Sequence, residues 1–223
     1  MTLNAQQIAQ AQLTAYSYDG TPFAWDWLCD QTRFKSTYAG LKVIDDTQLI
    51  IMPGTGGGVN ASETMRQWQL NFSAFPEVTP HPQFGWIENG FYTEMEDFTA
   101  ELCTHLDPGL LIAGAGHSRG AAQIQIVAGL LKLRNLRLQQ LHAFAPPRAG
   151  GKEFCAFIAD VPKTLYRTVG AIEPGHDLVT DVPFWPAEHA APLTDLSVTP
   201  LSNDQWLMFK YHHMQLYAGA IHA

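Results

Sequence analysis

A chain of 223 residues that is 46% hydrophobic and 15% charged can bury one substantial core, which excludes a disordered or fibrous protein. Its net charge of −8, with 13 Lys and Arg scattered along it, argues against a nucleic-acid-binding surface and against attraction to an anionic membrane. Cys29, Cys103 and Cys155 are odd in number and lack a CxxC pair, so they read as reduced core residues rather than a disulfide framework or zinc site. Residues 1–7 carry no basic or apolar leader pattern, and no run reaches the ~18 apolar residues of a membrane span. The expectation is one domain over 1–223, cytoplasmic by default or exported without a signal.

Residues 4–16 set Ile8, Ala9, Ala11 and Leu13 among glutamines, which predicts a weakly amphipathic helix on the outside of a sheet. After a turn-rich loop at 19–22 come Trp25, Trp27 and Phe34, which read as core or as the lining of a pocket, core being the commoner fate. Residues 41–44 and 48–52 flank Asp45-Asp46 and predict two strands joined by a tight turn. The second runs into Pro53-Gly54-Thr55-Gly56-Gly57-Gly58, a loop suited to a phosphate or to an oxyanion. A dinucleotide fingerprint fails on spacing: the sixth position from Gly54 is Val59, from Gly114 it is Arg119, and no Walker lysine follows.

Met65, Trp68 and Phe72 predict a short helix within 61–72, and Pro76, Pro80 and Pro82 mark irregular surface. Phe91, Met95, Phe98 and Leu102 recur opposite Glu94, Glu96, Asp97 and Glu101, predicting one amphipathic helix over 90–106 with a solvated acidic face. The most informative stretch is 110–131, where an apolar strand meets Gly116-His117-Ser118-Arg119-Gly120 and then a helix with Ile124, Val127, Ala128 and Leu131 on one face. This is GxSxG in its confirming surroundings, with Ser118 held out at a strand's end and helix N–H groups ready for an oxyanion. The bland alternative is a serine that merely caps the helix. Lys132, Arg134 and Arg137 close that helix, where cations complement its dipole. Strands at 138–144 and 164–169 around a helix at 151–159 complete an α/β pattern with a largely parallel sheet.

A serine nucleophile needs a base and an orienting acid, in the chain order Ser, Asp, His for this architecture. Asp177 and Glu173 follow the 164–169 strand and sit where the acid belongs, with Asp181 and Asp195 as rivals. Spacing leaves His189, His212, His213 and His222 open as bases, and an adjacent His212 and His213 makes a poor metal site.

The chain resembles the class 3, fungal-lipase-like branch of the α/β-hydrolases from about Leu49 to Tyr217. The segments that carry the resemblance are Ile50-Ile51-Met52-Pro53-Gly54-Thr55, Gly90-Phe91-Tyr92, Gly116-His117-Ser118-Arg119-Gly120-Ala121, Phe144-Ala145-Pro146-Pro147-Arg148-Ala149-Gly150, and Asp177-Leu178-Val179 through Pro183. The resemblance implies an α/β-hydrolase fold with helices on both faces of a mostly parallel sheet. It further implies Ser118 as nucleophile, Asp177 as acid, His212 before the last helix as base with His213 the runner-up, and His189 as non-catalytic. Thr55 and Arg119 would supply the oxyanion hole.

Pro53, Arg119, Ala121 and Glu88-Asn89 depart from the family, which has an arginine, a leucine, a glycine and a histidine there. Arg119 is expected to favour acidic or polar head groups, and Arg119→Leu to change substrate ranking with little loss of stability. The reading is a serine hydrolase of lipid-like carboxylic esters, with no metal or organic cofactor and no nucleic-acid partner, in transient contact with lipid interfaces if Trp68, Phe72 and Phe75 form a cover. A phospholipase, thioesterase or acyltransferase on the same scaffold, or a non-catalytic binding protein, stands as the alternative.

Overall fold

The computed structural model describes residues 2–15, 23–35, 37–54, 76–78, 80–183, 186–200 and 211–222. The strands are β1 (Trp27–Leu28), β2 (Gly40–Ile44), β3 (Thr47–Met52), β4 (Pro76–Val78), β5 (Trp86–Glu88), β6 (Leu111–His117), β7 (Gln140–Phe144), β8 (Lys163–Val169) and β9 (Leu193–Ser197). The helices are α1 (Ala5–Ala15), α2 (Asn89–Tyr92), α3 (Met95–Cys103), α4 (Arg119–Leu133), α5 (Lys152–Phe157) and α6 (Met214–His222).

The hairpin β2–β3 turns at Asp45, whose φ of 51° is the left-handed conformation that aspartate tolerates. From β3 the sheet continues in parallel through β6, β7, β8 and β9, giving the order β1-β2-β3-β6-β7-β8-β9. The central strands β3 and β6 are buried on both faces almost throughout, as a covered parallel sheet requires. Ile50 and Met52 of β3 with Leu141 and Ala143 of β7 pack under α3, α4 and α5. Leu49, Ile51, Ala113, Ala115 and Phe144 pack under α1 and α6, which also touch one another. This is the mostly parallel α/β-hydrolase architecture expected, and it sets the ends of β3, β6, β7 and β8 along one edge.

The structure adds the strands β1 and β9, leaves Trp25 and Trp27 only partly buried rather than core, and differs from the expectations in four further places. Within the proline-rich passage, β4 pairs with β5 in a small antiparallel ribbon, and Pro82–Phe84 form a 3-10 turn. The single helix expected over 90–106 is two, because the Thr93 hydroxyl and N–H both bond Asn89 O, at 2.9 and 3.0 Å, and Glu94 takes φ 70°. The acidic face is not all solvated: Glu96 accepts from Tyr92 at 2.6 Å, from Arg134 at 3.3 Å and from His81, and Glu101 pairs with Arg33 at 2.6 Å. Cys103 and Cys155 are half-buried rather than core, although all three thiols are free and burial pushes Cys29 and Cys155 up to about 11. The helix expected within 61–72 and the cover expected of Trp68, Phe72 and Phe75 lie outside the described residues. Among the described residues no helix is long and apolar enough to cross a membrane.

Candidate active site

The edge where the strands end is built around Ser118. Its N–H still bonds Phe144 O of β7 at 2.9 Å, yet its own φ of 57° and ψ of −127° break the strand so that α4 starts at Arg119. A non-glycine residue at such angles stores on the order of 1–3 kcal/mol, held in place by the packing around it. The packing is visible at two glycines. A Cβ on Gly120 would lie 1.9 Å from Met52 O, and one on Gly54 would lie 2.8 Å from the Ser118 Cβ. The end of β3 therefore presses on the nucleophile turn with backbone alone. Ser118 makes no capping bond to α4, and its hydroxyl, 1% exposed, has no hydrogen-bond partner among the described residues. The capping alternative is thereby removed. The Arg119 N–H belongs to the unpaired first turn of α4, at the positive end of its dipole. The other expected oxyanion donor, Thr55, lies outside the described residues, which stop at Gly54.

Beyond β8, the segment 174–181 folds back so that Asp177 N bonds Thr168 O at 3.0 Å and the Asp177 side chain caps a short 3-10 turn through Val179 N at 3.0 Å. Asp177 is 0% exposed. Its Oδ2 accepts from His212 Nδ1 at 2.9 Å and from the Tyr217 hydroxyl at 2.6 Å. Burial by itself would raise this carboxyl, but the His212 charge and these hydrogen bonds outweigh it and bring it below the usual aspartate value. The same burial and the neighbouring carboxylate drive the Tyr217 hydroxyl well above 10, so it is a fixed donor.

His212 is linked to the nucleophile turn through His117. The His117 and His212 rings lie 4.8 Å apart, and His117 Nε2 is 2.8 Å from His212 O. A carbonyl only accepts, so Nε2 of His117 carries the proton. Burial, and then the His212 charge, push His117 down to about 3, which keeps it neutral beside His212. The residue on Asp177 is thus His212 and not its neighbour His213. Of the rival acids, Asp181 pairs with His176 at 2.7 Å and Asp195 with Arg167 at 2.9 Å. His189 bonds Thr180 O at 2.8 Å, behind the acid loop.

A sequence model of the family described as Lipase (class 3) matches residues 58–187, more than half of the chain. The chain belongs to the class 3 lipase family. It is thereby a carboxylic ester hydrolase of the lipase type. No curated protein sequence matches it. Among solved structures, Rhizomucor miehei triacylglyceride lipase superposes with a TM-score of 0.63 at 20% identity, covering 89% of this chain and 82% of that one. A Yarrowia lipolytica lipase gives 0.62 at 17% identity over 84% and 77%, and the mono- and diacylglycerol lipase of Aspergillus oryzae 0.55 at 17% over 89% and 79%. These likenesses speak to the fold.

The two departures of this lipase that lie among the described residues and carry charge meet at α2. Glu88 ends β5, caps α2 through Gly90 N at 3.4 Å and is 2% exposed; burial raises its carboxyl to about 7. The Arg119 guanidinium crosses from α4 to Gly90 O at 2.8 Å, is 8% exposed and is shifted downward by burial. The expectation that Arg119→Leu costs little stability does not fit a buried tie of this kind. Sequence reasoning used Tyr217 only as a landmark and missed it as a partner of Asp177, because a contact from α6 to the end of β8 is a tertiary fact.

Proposed function

We propose that this lipase-family chain hydrolyses esters of lipid-like acids through Ser118 as nucleophile, His212 as general base and Asp177 as the acid that fixes the imidazole. The observation that carries the proposal is the fully buried Asp177 carboxylate at 2.9 Å from His212 Nδ1, with His212 tied through His117 to the strained turn that holds Ser118. With Nδ1–H held by Asp177, Nε2 is the nitrogen that takes the Ser118 proton as Oγ attacks the ester carbonyl. The tetrahedral oxyanion is met by the Arg119 N–H and, on the family pattern, by Thr55; donors of this kind are worth about 3–4 kcal/mol each. Collapse expels the alcohol, which receives the proton from His212, and water repeats the sequence to release the acid from Ser118.

The chain 1–223 acts in this proposal as a single domain that meets its substrate at a lipid–water interface. Ser118→Ala is expected to abolish both p-nitrophenyl ester turnover and fluorophosphonate labelling while the circular dichroism spectrum is unchanged. Retained turnover in that variant rules the proposal out.

A further inference from the structure

Most glutamines of α1 face solvent, and one does not. Gln6, Gln7 and Gln10 are exposed, whereas Gln12 is 0% exposed on the stripe of Ile8, Ala11 and Ala15 that packs with Leu49, Ile51 and Met214. Its amide Nε2 donates to Met52 O at 3.3 Å. A carbonyl only accepts, so the amide nitrogen has to face Met52 and Oε1 has to face away, where it is buried with no partner among the described residues. A half-satisfied amide in an apolar layer is worse for stability than a methionine or leucine of similar volume. Packing therefore gives no reason for a glutamine here. The carbonyl that it holds does.

Met52 ends β3, and its carbonyl lies against the nucleophile turn, since a Cβ on Gly120 would stand 1.9 Å from it. Two residues on, a Cβ on Gly54 would meet the Ser118 Cβ at 2.8 Å and His117 O at 2.9 Å. The end of β3 and the turn are thus in close contact at both positions, and a shift of one moves the other. Gln12 grips that same carbonyl from α1, a helix that packs on β3, β6 and α6. We infer that Gln12 is a positioning residue for ester hydrolysis. Through Met52 O it fixes the end of β3 against residues 118–120, and so sets the Ser118 hydroxyl and the Arg119 N–H where the tetrahedral intermediate forms. The inference rests on the reading of Ser118 as nucleophile.

The whole chain is assayed as wild type, Gln12→Met, Gln12→Leu and Gln10→Met on p-nitrophenyl butyrate, with fluorophosphonate inactivation and thermal melting alongside. A misplacement of about 1 Å at the reacting atoms can cost on the order of 100-fold in rate, and loss of one buried tie permits a part of that. Both Gln12 variants are expected to lose about tenfold in kcat and in the inactivation rate, with KM within about twofold of wild type. The acid limb of the kcat pH profile stays in place, because His212 and Asp177 keep their contacts. The melting temperature does not fall, because the unmet amide oxygen is gone. Gln10→Met, on the exposed face of the same helix, matches wild type. Unchanged kcat in both Gln12 variants overturns the inference and leaves the serine esterase standing. A lower kcat that comes with a lower melting temperature or a shifted acid limb also overturns it, since Gln12 then serves the fold alone. If Leu prevents folding, the unbranched Met carries the test, and failure of both to fold counts as the structural outcome. A wild-type protein that turns over no ester and takes no fluorophosphonate overturns the reading of Ser118 and this inference with it.

Discussion

Asp177 stays anionic in a fully buried position because His212, Tyr217 and Val179 N all supply positive charge or hydrogen to its two oxygens. Asp177→Asn keeps the volume but allows the wrong imidazole tautomer, so kcat is expected to fall about 10⁴-fold with the fold intact, read by steady-state kinetics and thermal melting. Tyr217→Phe removes one hydrogen bond to a charged group, worth about 1.5–3 kcal/mol, and should lower kcat roughly tenfold. Glu88 has the opposite sign. Its carboxyl is raised to about 7 in the fold, so its contribution to stability is complete below the ordinary value of 4.5 and is lost as pH rises through 7. Glu88→Gln fixes the neutral form. The variant is expected to melt higher than wild type at pH 8 and at the same temperature at pH 4, and an equal difference at both values counts against the assignment.

At the scale of elements, the contact between the end of β3 and the first turn of α4 is the least tolerant of an added methyl among the described glycines. Gly120→Ala places a methyl against the Met52 carbonyl, which cannot rotate away as a side chain would. The expected cost is about 3 kcal/mol or more, with loss of activity as the segment leading to Thr55 shifts, measured by urea unfolding and ester turnover. The turn itself was legible in the sequence, since two glycines around Ser118 between an apolar strand and an amphipathic helix have few other uses. The hairpin was legible from Asp45-Asp46, and the loop holding Asp177 and Glu173 from its place after a strand, with Asp177 itself singled out by the resemblance. Less could be read where local pattern and tertiary context disagree. The Leu193–Ser197 strand alternates weakly and is held by parallel pairing with β8, and the two-residue β1 is an edge that only its neighbour defines. The split at Thr93 depends on a hydroxyl taking a helix carbonyl, which apolar periodicity does not register. His212 could be chosen over His213 only by the resemblance, because adjacent residues differ in which way they point, and pointing is set by the packing of α6.

Across the whole molecule, three histidines held below their ordinary value, His117 and His142 buried and His189 half-buried, contribute to the response to acid. Burial pushes His117 down to about 3 and His142 and His189 to about 4, so each is neutral in the fold while the unfolded chain takes a proton below about 6.5. Their contribution is complete above 6.5 and is lost as pH falls, at ~1.4 kcal/mol per pH unit for each. Glu88 offsets one of them between 7 and 4.5, which leaves a slope of ~3 kcal/mol per pH unit between pH 6 and 5. Denaturant melts at half-unit steps should show it. The net charge of −8 acts at longer range. Adsorption to vesicles containing phosphatidylserine is expected to be weaker than to phosphatidylcholine alone, and 0.5 M salt should narrow the gap.

The pairing of α1 with α6 joins segments some two hundred residues apart. During synthesis, the side of the sheet carrying Leu49, Ile51 and Ala113 has its first helix early and its second only after residue 222 has left the ribosome. Asp177 acquires Tyr217 and His212 in that same final step. Under the proposed triad the nascent chain thus holds Ser118 without its base, and hydrolytic power would arrive with the closing of the last layer rather than before it.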